Sequence, residues 1–321
     1  MLIKQIVVYT VYTVYSMTPV CGWSLNLLHV NDIHVRMEET NKYSAGCRIE
    51  DKERGRCYGG LARLYTAVNE LKRNKTNTLW LNAGDFFQGT VWYSHFKWKV
   101  VSHFNKILGF DAMSLGNHEF DDGVEGLEPF LRDNTCPIVA ANLDISKEPL
   151  LSGLFTPSIV LDVGGRRVGI IGYVTFDDGK NPSGLFTPSI VLDVGGRRVG
   201  IIGYVTPETL EVSNPGKVGF TDEITAVKAE VAKLTAAGVD IIIGLGHSGY
   251  YKDLEIAEQV PELDVIVGGH THSFLYTNKA NSPTRDESIH GPYPTLVSNR
   301  TLVVQAYAYT KYLGFLNINF R

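Results

Sequence analysis

The chain has 321 residues, 44% hydrophobic and 20% charged, an ordinary globular composition that is long enough for one large α/β domain with a sizeable core. Thirty Lys and Arg against 34 Asp and Glu leave a net charge of −4, and no basic stripe is visible, which argues against binding to duplex nucleic acid. At the N-terminus a short basic start (Lys4) precedes a mostly apolar run over residues 6–20, and small residues follow at Gly22 and Ser24. This reads as a secretory signal peptide over residues 1–22. It is short for a membrane span, and an uncleaved anchor or a misplaced start is the alternative. No later stretch has the length to cross a bilayer, so the mature chain is expected to be secreted or extracellular, or at the cell surface if the full-length protein carries a lipid anchor.

Apolar runs with β character then alternate with helical spacings. Residues 27–30 read as a strand. Leu61, Leu64, Val68 and Leu71 have helical spacing, and Lys72-Arg73-Asn74 suits a helix C-terminus. Strands are expected over 79–81 and 112–115, and helices over 99–108 and 124–131. Thr221-Asp222-Glu223 caps a helix with apolar positions Ile224, Val227, Val231 and Leu234, ending at Gly238. Residues 241–243, 265–267, 295–297, 302–305 and 312–318 read as strands. The alternation predicts two sheets packed together with helices outside, an α/β/β/α sandwich over 25–321.

One anomaly interrupts the pattern. Residues 152–175 and 183–206 are the same 24 residues, SGLFTPSIVLDVGGRRVGIIGYVT, offset by 31. Each copy reads as a β-hairpin, in the first copy a strand at 158–163, a Gly164-Gly165 turn and a strand over 166–174. A single identical pair points to a recent duplication or a gene-assembly error. A packed sheet has one slot for this hairpin. One copy's strands, with residues 176–182, are therefore expected outside the core as an insert within 152–206, and the strand over 197–205 is expected in place.

Cys47 and Cys57 flank a polar loop and would close it as a disulfide in an oxidising compartment. Zinc fits that loop poorly, since it offers no His and no further Cys. Cys21 leaves with the signal, and Cys136 is left over, expected buried. Asn74 and Asn299 head glycosylation sequons, which agree with secretion.

Five polar clusters stand at the ends of the β-like runs: Asp32-Ile33-His34, Gly84-Asp85, Gly116-Asn117-His118-Glu119, Gly246-His247 and Gly269-His270-Thr271-His272. Strands of one sheet deliver their C-terminal ends to one edge, so these side chains converge. Mixed Asp, Asn and His donors suit a pair of divalent ions, with imidazole shifting preference toward Zn, Mn, Fe or Co. Asp85 suits a bridging carboxylate. His270 and His272 would face opposite ways in a regular strand, so a turn must aim both inward. A hydrogen-bonded polar network is the alternative, and it leaves the wealth of histidine unexplained. Such an ion pair suits in-line displacement at a phosphoester. His118 then reads as a general acid oriented by Asp121, while Arg36 and Arg63 either meet phosphate charge or form solvated salt bridges. His29, His95, His103 and His290 read as core or surface residues, and Trp92, Tyr93 and Trp98 as core packing rather than base stacking.

Together with Gly59-Gly60-Leu61-Ala62-Arg63, Asn82-Ala83-Gly84-Asp85-Phe86-Phe87-Gln88-Gly89-Thr90, Ser213-Asn214-Pro215-Gly216, Val304-Gln305-Ala306-Tyr307 and Lys311-Tyr312-Leu313-Gly314, these clusters resemble the calcineurin-like metallophosphoesterases, and within them the 5'-nucleotidase/apyrase family. The resemblance covers residues 25–321 apart from the insert. It implies a metallophosphoesterase sandwich and two metal ions, chiefly zinc, with Mn, Co or Mg as alternatives. One ion would take Asp32, His34, Asp85 and His272, the other Asp85, Asn117, His247 and His270, beside a His118–Asp121 catalytic dyad. Some relatives carry Asn or Gln at the His272 position, so His there would alter metal preference. The implied substrates are nucleoside 5'-monophosphates such as AMP; an apyrase acting on ATP and ADP, or an inactive nucleotide-binding fragment, are the alternatives. The family also implies a C-terminal domain that grips the nucleoside between aromatic rings and makes most of the dimer contacts. The motifs in these 321 residues end with the first domain.

Overall fold

The computed structural model describes residues 7–13, 23–155, 158–163, 166–171, 199–239, 241–278, 280, 282 and 286–320. In chain order the strands are β1 (Val7–Thr13), β2 (Trp23–Val30), β3 (Thr78–Asn82), β4 (Ala112–Ser114), β5 (Ile138–Val139), β6 (Leu143–Asp144), β7 (Ser158–Val163), β8 (Arg166–Ile171), β9 (Val199–Val205), β10 (Gly219–Phe220), β11 (Ile241–His247), β12 (Val265–Val267), β13 (Phe274–Leu275), β14 (Ile289–Gly291), β15 (Thr295–Val297), β16 (Thr301–Val304) and β17 (Leu313–Phe320). The helices are α1 (Ile49–Glu53), α2 (Leu61–Asn74), α3 (Val91–Phe96), α4 (Trp98–Leu108), α5 (Gly123–Asp133), α6 (Thr209–Val212), α7 (Glu223–Ala236) and α8 (Tyr250–Gln259).

Two sheets carry the architecture. One has six strands in the order β1-β17-β2-β3-β4-β5, the other seven in the order β15-β16-β12-β11-β9-β8-β7. Strand alternation sorts side chains into layers. Leu25, Leu27, Leu79 and Leu81 belong to one core cluster with Ile243, Leu245, Val227 of α7 and Ile256 of α8. Leu28, Val30 and Trp80 belong to the other, with Leu64 and Val68 of α2, Val101 of α4 and Leu127 of α5. The result is the expected α/β/β/α sandwich.

Most expected elements stand within a few residues of their sequence positions. The apolar positions of α2 are the buried ones, Leu61, Leu64, Val68 and Leu71. Asp222 caps α7, its side chain accepting from the Thr225 backbone N–H. Helices α1, α3, α6 and α8 have no counterpart among the expected elements. Tyr93 is buried and Trp98 half-buried against the core, but Trp92 is 41% exposed and stacks on Phe96, so the packing reading fits two of those three aromatics. His29 is buried, and His95, His103 and His290 are exposed.

The repeat departs from expectation. Strand β9, from the second copy, takes the interior slot beside β11, as the sequence suggests. The first copy does not stay outside the sheet: its β7–β8 hairpin extends the edge, with β8 parallel to β9. The pairing sets Val168 against Val199, Gly169 against Gly200 and Ile170 against Ile201, each residue opposite its own duplicate. An edge strand offers unpaired backbone groups as a template, and an identical strand brings a matching side-chain pattern. Residues 172–198, which include 176–182 and the first strand of the second copy, lie outside the described residues, as does the Gly164-Gly165 turn. Of the expected signal, residues 7–13 form edge strand β1 beside β17, while the remainder, with Cys21, lies outside the described residues.

Candidate metal centre

The parallel strands β2, β3, β4, β11 and β12 each end at a polar cluster. Their last backbone turns are unusual. Asp32, His34, Asp85, His270 and His272 all have positive φ, between 47° and 75°. Such left-handed residues cost roughly 1–2 kcal/mol each and concentrate at functional sites. At 270 and 272 they supply the turn that aims both imidazoles inward. Two glycines make room. A Cβ on Gly116 would stand 2.1 Å from Asp85 Oδ1, and one on Gly269 would stand 2.6 Å from His247 Nδ1.

The side chains meet around Asp85. His247 Nε2 lies 2.9 Å from Asp85 Oδ2 and 3.8 Å from Asp32 Oδ1. His272 Nε2 is 3.2 Å from Asp32 Oδ1 and 3.1 Å from His34 Nε2. On the other side, His270 Nδ1 faces Asn117 Oδ1 at 3.0 Å, and its Nε2 faces Glu208 at 3.4 Å. Backbone carbonyls set the orientation of two rings. His34 Nδ1 faces the Phe87 carbonyl at 3.2 Å, and His247 Nδ1 faces that of Ala83 at 2.6 Å. A carbonyl only accepts, so both rings turn Nε2 toward the centre.

These groups fit divalent cations. Asp32 with His34 and His272, and Asp85 with His247 and His270, are each close enough to share an ion, and Asp85 also groups with His34 and His118. His247 Nε2 is buried and makes no hydrogen bond, although a carboxylate oxygen is within 3 Å. The electrostatics agree. Burial opposes charge on His247, but Asp85 and Asp32 together push its imidazolium up to about 10. Burial likewise opposes charge on Asp85 and Asp32, and neighbouring histidines, led by His247, hold both below the usual carboxylate range. The centre is a buried anionic pair calling for positive charge.

Beside it, His118 Nδ1 lies 2.6 Å from Asp121 Oδ2, and Ser213 Oγ donates to Asp121 Oδ1 at 2.7 Å. The hydrogen bond to Asp121 pushes the His118 imidazolium up to about 9. A cavity of about 330 Å³ opens on His118, His34, Asp85, Asn117, His270 and His272, lined also by Arg36, Gln88 and Tyr309. Arg63 is elsewhere, bound to Glu39 at 2.9 Å and to the Gly59 carbonyl.

Glu119 has no assigned role in the sequence reading. It is fully buried and accepts four backbone N–H groups, from Asp85, Phe86, Phe87 and Gly116. Burial, then Asp85, raise its carboxyl, and the N–H donors oppose them. It fastens the turn that presents Asp85 to the strand end that presents Asn117. The Gly-Asn-His-Glu string was the available signal, but nothing in its spacing shows where the fourth side chain points.

Cys47 and Cys57 form a disulfide with Cα atoms 5.8 Å apart, and Cys136 is free and buried. Asn74 and Asn299 are exposed.

A two-sheet sandwich gathering Asp, Asn and His at one strand edge defines a metallophosphoesterase. Residues 25–274 match the calcineurin-like phosphoesterase family, and the chain belongs to it. Divalent metal ions are implied by that family. Among curated relatives, the chain is 44% identical to human 5'-nucleotidase over 312 residues, covering 94% of this chain and 48% of that protein. It is 41% identical to the 5'-nucleotidase of Diplobatis ommata over 314 residues, covering 95% and 48% respectively. The structure superposes on the 5'-nucleotidase precursor of Thermus thermophilus with a TM-score of 0.75 at 35% identity, covering 93% of this chain and 52% of that one. The chain thus spans about half the length of the curated relatives it matches. Among the described residues, no helix is long and apolar enough to cross a membrane.

Proposed function

We propose that the chain is the metal-bearing portion of a secreted or cell-surface 5'-nucleotidase, hydrolysing nucleoside 5'-monophosphates to nucleoside and phosphate. The observation that carries this reading is the position of Asp85, whose carboxylate reaches both His247 and the His34 side of the centre. Asp32, His34, Asp85 and His272 would hold one ion, and Asp85, Asn117, His247 and His270 the other. Bound there, zinc or a similar ion would supply hydroxide near neutral pH and offset phosphoryl charge. His118 donates a proton to the departing alkoxide, and Asp121, held by Ser213, keeps the imidazole oriented and charged.

Secretion is supported by the apolar N-terminus, the Cys47–Cys57 disulfide and two exposed sequons. Strand β1 lies at a sheet edge, so signal cleavage near Gly22 leaves β17 paired with β2.

The test is phosphate release by the zinc-loaded chain from AMP, ADP, ATP and p-nitrophenyl phosphate. Release from AMP is expected. Release from ADP and ATP but not AMP would replace the nucleotidase with an apyrase, and no release from any ester would overturn the phosphoesterase reading.

A further inference from the structure

Arg36 follows the first cluster by two residues, yet it is not part of the polar knot. It lines the cavity with His34, Asp85, Asn117 and His118. Its guanidinium carbon sits 5.4 Å from the centroid of the Tyr309 ring. That ring is itself fixed by packing on His34 and His272, at 5.6 and 5.1 Å. Among the described residues no carboxylate stands within ion-pair distance of Arg36, although Asp32 and Asp85 lie in the same region. Its Nε is buried and makes no hydrogen bond. A buried donor left without a partner costs roughly 1–3 kcal/mol, so a site that keeps one is shaped for an acceptor that arrives later. The contrast with Arg63 is direct, since that guanidinium is already committed to Glu39.

We propose that Arg36 is a substrate-binding residue for the phosphoryl group, its guanidinium fork donating to two non-bridging oxygens of a phosphomonoester while Tyr309 holds the plane of the fork. The assignment rests on the phosphoesterase reading above and adds to it a recognition residue outside the ion ligands. Arginine suits the task because its planar donors match a tetrahedral oxyanion pairwise, which a lysine ammonium does not. Stacking on Tyr309 reduces the freedom lost when the anion docks.

The experiment compares the full chain with Arg36→Gln, Arg36→Lys and Tyr309→Leu, each loaded with zinc. It reads inorganic phosphate binding by calorimetry, kinetics on p-nitrophenyl phosphate, bound zinc and Tm. Arg36→Gln is expected to weaken phosphate binding and raise KM by about 10- to 100-fold, with kcat, zinc content and Tm near those of the parent. Arg36→Lys should recover part of the loss, and Tyr309→Leu should show a smaller loss, a few-fold in KM. Unchanged phosphate binding in Arg36→Gln, with the parent active, overturns the proposal and leaves the phosphoesterase reading standing. Loss of zinc or Tm in Arg36→Gln, with phosphate affinity per loaded site intact, overturns it in favour of a packing role. A parent that binds zinc but neither binds phosphate nor hydrolyses the ester overturns both.

Discussion

In the proposed reaction His118 acts as an acid only while protonated, and its hydrogen bond to Asp121 keeps it so up to about 9. Activity should therefore fall on the alkaline side as pH rises through that range. Asp121→Asn removes the anionic partner and should move the alkaline limb of kcat to lower pH, with bound zinc unchanged. His118→Asn should lower kcat by about 10²- to 10⁴-fold, the usual worth of a positioned acid. Rate–pH profiles on p-nitrophenyl phosphate check both, and an unmoved alkaline limb in Asp121→Asn removes the dyad from the reaction. Asp85→Ala tests the shared carboxylate: it should lose phosphate release and bind fewer than about two ions per chain. Retained activity with added zinc would contradict the two-ion site. At this scale the sequence was informative where chemistry is local. Asp121 is three residues from His118 and was legible. Ser213 belongs to a motif that carries the resemblance, but it is 92 residues from Asp121, and nothing in that spacing shows the contact.

Elements were legible wherever one face is apolar and the other is not. The spacing of Leu61, Leu64, Val68 and Leu71 marks α2 because those four side chains face the core. Helix α8 escaped because Tyr250, Asp253, Ile256 and Ala257 bury a mixed face, with a carboxylate at its centre. That carboxylate is a measurable feature. Asp253 accepts a hydrogen bond from Tyr204 at 2.7 Å, while its Oδ2 is buried and unpaired, and burial pushes its pKa up to about 7. The unfolded chain ionises this group near 4. The folded state thus binds the proton more tightly, and the resulting stability is fully present below about pH 4 and is lost as pH rises toward 7. Asp253→Asn keeps an acceptor for Tyr204 and cannot ionise, so its Tm should exceed that of the parent at pH 8 and approach it at pH 5. Equal Tm differences at both pH values would refute the linkage. At Glu119 the four backbone donors call for two acceptor oxygens. Glu119→Gln turns an amide N–H₂ toward backbone donors that now meet an oxygen, and should cost about 2–5 kcal/mol in urea unfolding while weakening zinc binding. Parent-like stability would show that the four contacts are incidental.

At the scale of the whole molecule, the sandwich and its shared strand edge follow from alternation of apolar runs with helical spacings, while the fate of the repeat does not. Two identical hairpins offer the same pattern to the same slot, so sequence alone has no basis for choosing between an expelled copy and an added edge. The structure adds the edge, duplicate residue against duplicate residue. Removal of residues 152–182 makes the choice moot. Residues 152 and 183 are both serine, so the junction after Leu151 keeps its sequence, and Leu154 and Phe155, packed on the core, are replaced by Leu185 and Phe186. One hairpin remains, with a Gly195-Gly196 turn leading directly into β9. Its first strand can pair with β9 antiparallel, as β7 pairs with β8. A two-residue Gly-Gly turn closes at low entropic cost. The polar clusters at the ends of β2, β3, β4, β11 and β12 are untouched. The shortened chain should therefore fold with a Tm equal to or above that of the parent and release phosphate at a rate within about twofold of it, because β7 and β8 lie at the sheet edge, beyond β9 from the strands that end at the polar clusters. A shortened chain that is insoluble, or folded but inactive beside an active parent, would mean that the added edge is part of the working sheet.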